Sequence, residues 1–360
     1  MRSISSKELV LEALSHNETY RVPVDYWATG EVTEKLCRHL HVASKDNLLE
    51  KLGVDLRYAF PNYCGPQLKR CDDGSYEDIW KVRRKVIRGA GGSYEHTVHN
   101  PLSSVKTIDE LEDWSPPSPD WYDYHSLCSQ CETYDVYATV FVGDRTNRTS
   151  VLHQAMYLRG VQQALIDPLR DPQFTHRLYE KITEFYLELN ERCFEEAGNL
   201  IDIFMMGEDL GTQTGLLVSS KIFREFIKPY LARHAGLAKR YGVRVMLHSC
   251  GAIRELIPDF IDMGIDILNP IQVRAKRMNT AELKKEFGDR LSFHGSVDIQ
   301  QTLPLGRPED VRAEVRDRIR VLGRGGGFIL CTTHNIQEDT PIKNILAMYK
   351  AAKRFSKRST

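Results

Sequence analysis

Residues 244–270 read RVMLHSCGAIRELIPDFIDMGIDILNP. An apolar run, Arg244–His248, is followed by a helical pattern over Ile253–Met263 and a second run, Asp266–Pro270. The runs are continuous in hydrophobicity rather than alternating, which suits parallel strands buried on both faces. The unit recurs along the chain. Upstream lie Val22–Trp27 (VPVDYW), Asp55–Phe60 (DLRYAF), Tyr134–Val142 (YDVYATVFV) and Ile201–Met206 (IDIFMM); downstream lie Leu291–Gly295 (LSFHG) and Phe328–Thr333 (FILCTT). Helices are expected over Pro172–Ala197, Ser219–Tyr241, Thr280–Phe287, Pro308–Leu322 and Pro341–Phe355. In the first of these, Phe174, Leu178, Ile182, Phe185, Leu189 and Cys193 recur every three to four residues. In the second, Ser219 or Ser220 can cap and Pro229 kinks or breaks the helix. Eight strands alternating with helices point to the α/β class and a single-domain (β/α)8 TIM barrel. The alternative, an open doubly wound sheet, lacks a GxGxxG at a strand–helix turn and a Walker A lysine.

The stretch 61–133 breaks the rhythm. It holds charge-dense strands (IWKVRRKVI, 79–87), a Gly-Ala-Gly-Gly turn at 89–92 and a proline cluster at 116–119. It reads as an insertion after an early strand, a hairpin plus a lid over a site. The opening MRSISSKELVLEAL leads into an amphipathic helix and has no uninterrupted apolar core, so no secretory signal is expected. The closing KRFSKRST is a basic tail expected to fray.

Composition narrows the function. Lys+Arg and Asp+Glu both count 49, which excludes a polyanion such as nucleic acid as a partner read through bulk charge. No apolar run reaches the roughly 18 residues of a membrane span. Eight cysteines in 360 residues are too dilute for a disulfide-stapled fold, so a reducing cytoplasmic setting is expected, with some thiols available as metal ligands.

In a barrel of this kind the site lies at the C-terminal strand ends. Those ends read Gly207-Glu208-Asp209, His248-Ser249-Cys250-Gly251, Asn269-Pro270-Ile271-Gln272, His294-Gly295-Ser296-Val297-Asp298 and Cys331-Thr332-Thr333-His334-Asn335. His248 and Cys250 are two apart, so in an extended segment they point to the same side and can reach one ion. An imidazole with a thiolate favours zinc. His334 and Cys331 both have the chemistry for a third ligand. Glu208 and Asp298 are candidate catalytic carboxylates, able to hold a proton, orient a substrate or complete a metal shell. Cys128 and Cys131 form a lone CxxC and read as two free thiols.

The runs GEDLGTQTG (207–215), SSKIFREFIKPYL (219–231), HSCG (248–251), DILNPIQ (266–272), HGSVD (294–298) and HNIQEDTP (334–341) resemble the uroporphyrinogen decarboxylase superfamily, and within it the branch of cobalamin-dependent methyltransferases. The resemblance implies a (β/α)8 barrel and a zinc site built on His248 and Cys250. The family's later cysteine falls on His334 here, with Cys331 as the alternative. On an extended strand the odd spacing of those two sends them to opposite faces, which favours His334. Gln272 takes the place of a glutamate in some relatives. Gln213, Gln272 and Asp55 are implied on the substrate side. The arginine pair that decarboxylases carry early in the chain is missing from RVPVDYWATGEVT (21–33), which has no arginine after Arg21. The activity implied is zinc-dependent methyl transfer between a small methylated substrate, aryl methyl ethers or a thiol acceptor among them, and a cobalamin. With no Asp-x-His-x-x-Gly motif in the chain, that cobalamin is expected on a separate corrinoid protein docking over the barrel mouth. A metal-free decarboxylase and a non-catalytic corrinoid- or tetrapyrrole-binding barrel are the alternatives.

Overall fold

The computed structural model describes residues 4–89, 92–143 and 148–355. At its centre is a seven-stranded parallel sheet. The strands are β1 (Leu56–Ala59), β2 (Ala138–Phe141), β3 (Ile203–Gly207), β4 (Arg244–His248), β5 (Ile267–Asn269), β6 (Ser292–Val297) and β7 (Phe328–Thr332), paired in that order.

The eighth expected strand, Val22–Trp27, is not a regular strand. It is an extended segment making isolated parallel bridges, Val24 with Leu330 and Ala28 with Ile336. On one side the Asp55 N–H donates to the Val24 carbonyl (2.8 Å); on the other the Asp25 N–H donates to the Leu330 carbonyl (2.9 Å). The sheet therefore curls until β1 and β7 bond the same segment. Pro23 brings no N–H, so a full ladder cannot form there.

Two core layers follow from the period of two along each strand. Phe204 and Met206 on β3, Val245 and Leu247 on β4, and Leu330 on β7 join the large outer core under the helices. Leu56, Val140, Ile203, Met205, Met246, Ile267 and Ile329 face inward and form a separate small core. Val10 and Leu14 close that inner core at the N-terminal strand ends. They come from the helix Ser6–Leu14, which begins at a capping box of Ser5 and Glu8. Two residues further along the same strands the inward positions become Tyr58, Gly207, His248, Asn269 and Cys331. The inner core thus changes from apolar to polar toward the C-terminal strand ends.

Other elements depart from expectation for local reasons. The strand expected from Tyr134 begins at Ala138, because the helix Tyr124–Thr133 runs up to Tyr134 and the Tyr137 N–H closes a turn on the Tyr134 carbonyl (2.8 Å). The helix expected over Ser219–Tyr241 is three pieces: Ser220–Ile222, a wider π-type segment Phe223–Ile227, and Lys228–Arg240. Pro229 sits in the first turn of the last piece, where it removes a donor from the helical ladder and the winding loosens before it. The insertion contains an antiparallel hairpin, Arg83–Gly89 with Gly92–His99. The middle of the Gly-Ala-Gly-Gly turn and the end of the basic tail lie outside the described residues. No helix among the described residues is long and apolar enough to cross a membrane.

Candidate metal and substrate site

A cavity of about 470 Å³ opens at the C-terminal strand ends. Tyr26, Trp27, Tyr58 and Tyr157 supply aromatic wall, while Lys45, Arg148, Ser150, His153, Glu208, Asp209, His248, His334 and Asn335 supply the polar groups.

His248, Cys250 and His334 each offer a ligand atom, and the three atoms lie within 4.8 Å of one another. His248 faces inward because it continues the register of Met246 on β4. Its Nε2 stands 3.5 Å from the Cys250 Sγ. Cys250 is held by its backbone, whose N–H donates to Asp209 Oδ1 (2.8 Å). Gly251 follows with φ +91°, and a Cβ there would come within 2.4 Å of the Gly211 backbone, so only glycine lets the two loops cross. The Gln272 side-chain oxygen accepts from the Gly251 N–H (2.7 Å). Gln272 therefore shapes the cysteine loop and does not line the cavity.

The other face of His248 is equally defined. Its Nδ1 lies 2.5 Å from Asn269 Oδ1, and the Asn269 Nδ2 lies 2.5 Å from His294 Nδ1. His294 Nε2 reaches Asp25 Oδ2 at 2.9 Å, and the Tyr58 hydroxyl donates to the same oxygen at 2.5 Å. One directional chain satisfies every member: His248 Nδ1–H donates to Asn269, Asn269 donates to His294, and His294 Nε2–H donates to Asp25. That direction leaves a lone pair on His248 Nε2, facing Cys250. The Trp27 ring stacks on the His248 ring at 5.5 Å between centroids and donates its N–H to the Tyr58 hydroxyl (2.6 Å).

Burial pushes His248 down to about 3, opposed by Asp209 and reinforced by Arg148 and His334, so the imidazole is neutral at neutral pH. Burial and the Asp209 carboxylate raise the Cys250 thiol far above its ordinary value. Burial would raise Asp209 as well, but its surroundings of His248, His153 and the Cys250 N–H outweigh that and hold it at about 2.

Cys331 belongs to a second, fully buried group with Asp25 and His294, whose ligand atoms also lie within 4.8 Å of one another. Placing Cys331 and His334 on opposite faces assumed an extended chain, and this is corrected. Strand β7 ends at Thr332, whose hydroxyl donates to the His334 carbonyl (2.6 Å). The chain turns there, so Cys331 stays at the depth of His294 while His334 comes over the mouth beside His248.

The carboxylates are also redistributed. Glu208 lines the cavity, but its Oε2 accepts from the backbone N–H groups of Val151 (2.7 Å) and Leu152 (2.9 Å), and its Oε1 from that of His153 (2.7 Å). Those are the unpaired donors of the helix Leu152–Arg159, which has no side-chain cap of its own. Glu208 is a cap supplied from another strand and not a free base. The neighbouring Asp209 faces the ligand group instead, its Oδ1 3.5 Å from His248 Nε2 and its Oδ2 3.8 Å from His153 Nε2.

Asp298 does not line the cavity: it pairs with Arg274 (2.7 Å) and accepts from the Gln300 N–H (2.8 Å), fixing the loop after β6. Asp55 sits at the N-terminal end of β1, gripped by both terminal nitrogens of Arg21 (2.6 and 2.5 Å) and remote from the mouth. Gln213 is exposed on the loop after β3, outside the cavity lining. The insertion is not a lid either, since no described residue of 61–133 lines the cavity. It packs on the helix Pro172–Ala197 through Trp80, whose ring meets Phe185 at 4.9 Å, and it touches the wall residue Tyr157 where Arg84 lies 4.3 Å over its ring and the Asn100 Nδ2 donates to its carbonyl (2.8 Å).

Sequence reasoning overlooked Arg148 and His153. Neither lies at a strand end in a motif, and only the path of the chain after β2 brings them in. Asn269 had a signal, since it sits two residues beyond the inward-facing Ile267.

A curled parallel α/β sheet carries a thiol and two imidazoles, each offering one ligand atom within 4.8 Å of the others, at its C-terminal strand ends. Residues 97–355 match the uroporphyrinogen decarboxylase (URO-D) family, and the chain belongs to that family. It is 25% identical over 202 residues to a methylated-thiol–coenzyme M methyltransferase of Methanosarcina mazei, a match covering 55% of this chain and 50% of that protein. It is 26% identical over 193 residues to a uroporphyrinogen decarboxylase of Anaeromyxobacter sp., covering 52% and 49%. The chain spans about half the length of the curated relatives it matches. Among solved structures it is similar to a methyltransferase from Methanosarcina mazei, with a TM-score of 0.66, 17% identity and coverage of 98% of this chain and 99% of that one. These similarities fit the corrinoid methyltransferase branch of the family.

Proposed function

We propose that the protein is a zinc-dependent methyltransferase that moves a methyl group between a small methylated substrate and a cobalamin carried by a partner corrinoid protein. We read its fold as a (β/α)8 barrel whose first strand is the 22–28 segment, and its eight free cysteines accord with a cytoplasmic setting. The observation that carries the reading is the convergence of His248, Cys250 and His334, two of which, His248 and His334, line an open cavity.

The donor set fits zinc. One thiol and two imidazoles are a borderline-soft set, and three protein ligands beside a cavity leave one position for substrate. His248 is already neutral and its spare nitrogen is already engaged, as a metal-ligating histidine requires. Zinc bound there would supply Lewis acidity toward the heteroatom that gains or loses the methyl group. The corrinoid would supply the methyl-exchanging cobalt, for which no side chain here substitutes. Trp27 and Asn269 hold the His248 ring in plane and in tautomer. Asp209, with His153 beside it, is placed to take the proton released by the Cys250 thiol or by an incoming thiol or alcohol.

The test is metal analysis followed by spectroscopic assay of methyl transfer to reduced cobalamin. About one zinc per chain and transfer dependent on both metal and corrinoid is the expected result. Metal-free decarboxylation of a porphyrinogen would favour the second reading, which the decarboxylase relatives support. Zinc-free protein that binds corrinoid without turnover would favour a carrier.

A further inference from the structure

Buried guanidinium groups are normally paired, because an uncompensated charge away from water is costly. Other enclosed arginines have partners: Arg84 meets Asp78 at 2.6 Å, Arg159 meets Asp167 at 2.9 Å, Arg21 meets Asp55 at 2.5 Å, and Arg57 lies 3.8 Å from Asp46 and donates to the Val54 and Leu56 carbonyls. Arg148 does not. It lines the cavity, its Nε is buried, and it has no hydrogen-bond partner among the described residues. No carboxylate among those residues lies within ion-pair distance of it. Asp209 exerts the leading attraction on Arg148, but Asp209 is already engaged by the Cys250 N–H and placed between His248 and His153. The position of Arg148 is built rather than incidental. Its side chain passes directly over Gly207, where a Cβ would come within 2.4 Å of the Arg148 Cδ.

We propose that Arg148 binds an oxyanion, a carboxylate or sulfonate, carried by the methyl-bearing substrate. The substrate class is then a small organic anion with a flat or apolar body. Its charged end meets the Arg148 guanidinium, its body lies among Tyr26, Trp27, Tyr58 and Tyr157, and its methylated heteroatom faces His248, Cys250 and His334. A guanidinium can grip such a group with two parallel N–H donors. Which end faces the three ligands rests on the methyltransferase reading; the anion site itself does not.

The experiment is calorimetric titration of the purified, metal-loaded protein with 3-methoxybenzoate and with its neutral counterpart 3-methoxybenzamide. Wild type, Arg148→Gln and Arg148→Lys are compared, and methyl transfer to reduced cobalamin is followed in the same preparations. The expected result is at least tenfold tighter binding of the acid by the wild type. That preference should collapse in R148Q with the amide affinity unchanged within twofold, and survive in part in R148K. Unchanged amide binding shows that R148Q still folds. Equal affinity for acid and amide in the wild type, a preference that persists in R148Q, or binding of neither compound overturns the proposal. An Arg148-dependent preference without methyl transfer keeps the anion site and removes the methyltransferase reading. Transfer with no acid preference does the reverse.

Discussion

The side-chain oxygen of Asn269 lies 2.5 Å from the Nδ1 of His248, and this contact decides which nitrogen of the histidine looks into the cavity. Asn269 is fully buried and is fixed on its other side by His294, so its amide has one orientation that satisfies both rings. The tautomer that His248 presents to the cavity is therefore set by a residue that does not line it.

Asn269→Ala should weaken zinc binding by about 10–100-fold while leaving the three ligands in place. Competition against a chromophoric chelator measures this. Nitrogen NMR of labelled histidine should show the Nδ1–H tautomer of His248 in wild type and a mixture in the variant. Unchanged affinity with unchanged tautomer would mean that the contact is only packing.

Single alanine substitutions should separate the two clusters. His248→Ala, Cys250→Ala and His334→Ala should each reduce bound zinc well below one per chain. Cys331→Ala should leave zinc in place and cost about 1–2 kcal/mol of stability through the small cavity left in a filled core. Elemental analysis and urea denaturation of the same four variants provide both readouts. Zinc lost from C331A and retained in H334A would reverse the assignment.

Zinc affinity should rise with pH. The Cys250 thiol is held protonated by burial and by Asp209, so the metal must displace its proton, whereas His248 is neutral already. One proton released per ion makes the apparent affinity rise about tenfold per pH unit through neutrality. Titrations in buffers of different ionisation enthalpy count that proton, and a slope near zero would show a thiol already ionised.

Gly207→Ala should act on a residue it does not replace. The added methyl would stand 2.4 Å from the Arg148 Cδ, so the guanidinium must leave its place, at a cost of about 1–3 kcal/mol. Zinc content should be unaffected. Any preference of the cavity for organic anions should fall as it does in R148Q, and calorimetry with the same pair of ligands detects it.

His234 should make the fold acid-sensitive. It is fully buried beside Tyr186, both ring nitrogens lack hydrogen-bond partners among the described residues, and burial pushes it to about 3 from 6.5. Above pH 6.5 the ring is neutral in both states and contributes nothing. Below it the unfolded chain binds a proton that the folded ring refuses, so stability falls as pH drops, by about 1.4 kcal/mol per unit until roughly pH 3. Urea denaturation at pH 7, 5.5 and 4.5 should show His234→Leu gaining on wild type at that rate, and parallel curves would contradict it.

Much of this protein was legible locally. Hydrophobic runs and helical spacing are short-range patterns, and they placed the strands β3 to β7 to within a few residues. The two-residue spacing of His248 and Cys250 put both on one side of the chain without reference to any other segment. What the tertiary structure alone decided depends on partners distant in sequence. Glu208 and Asp209 are chemically similar neighbours, and only the arrival of the helix at Val151–His153 commits the first as a cap and leaves the second at the site. His334 joins His248 because the chain turns after Thr332, a loop conformation that strand periodicity cannot reveal. Arg148 has no motif, and it reaches the cavity because β2 and β3 are adjacent and Gly207 leaves room for it. Periodicity reports which face of an element is buried, whereas the commitment of a polar side chain depends on which donors and acceptors the curled sheet brings within 3 Å of it.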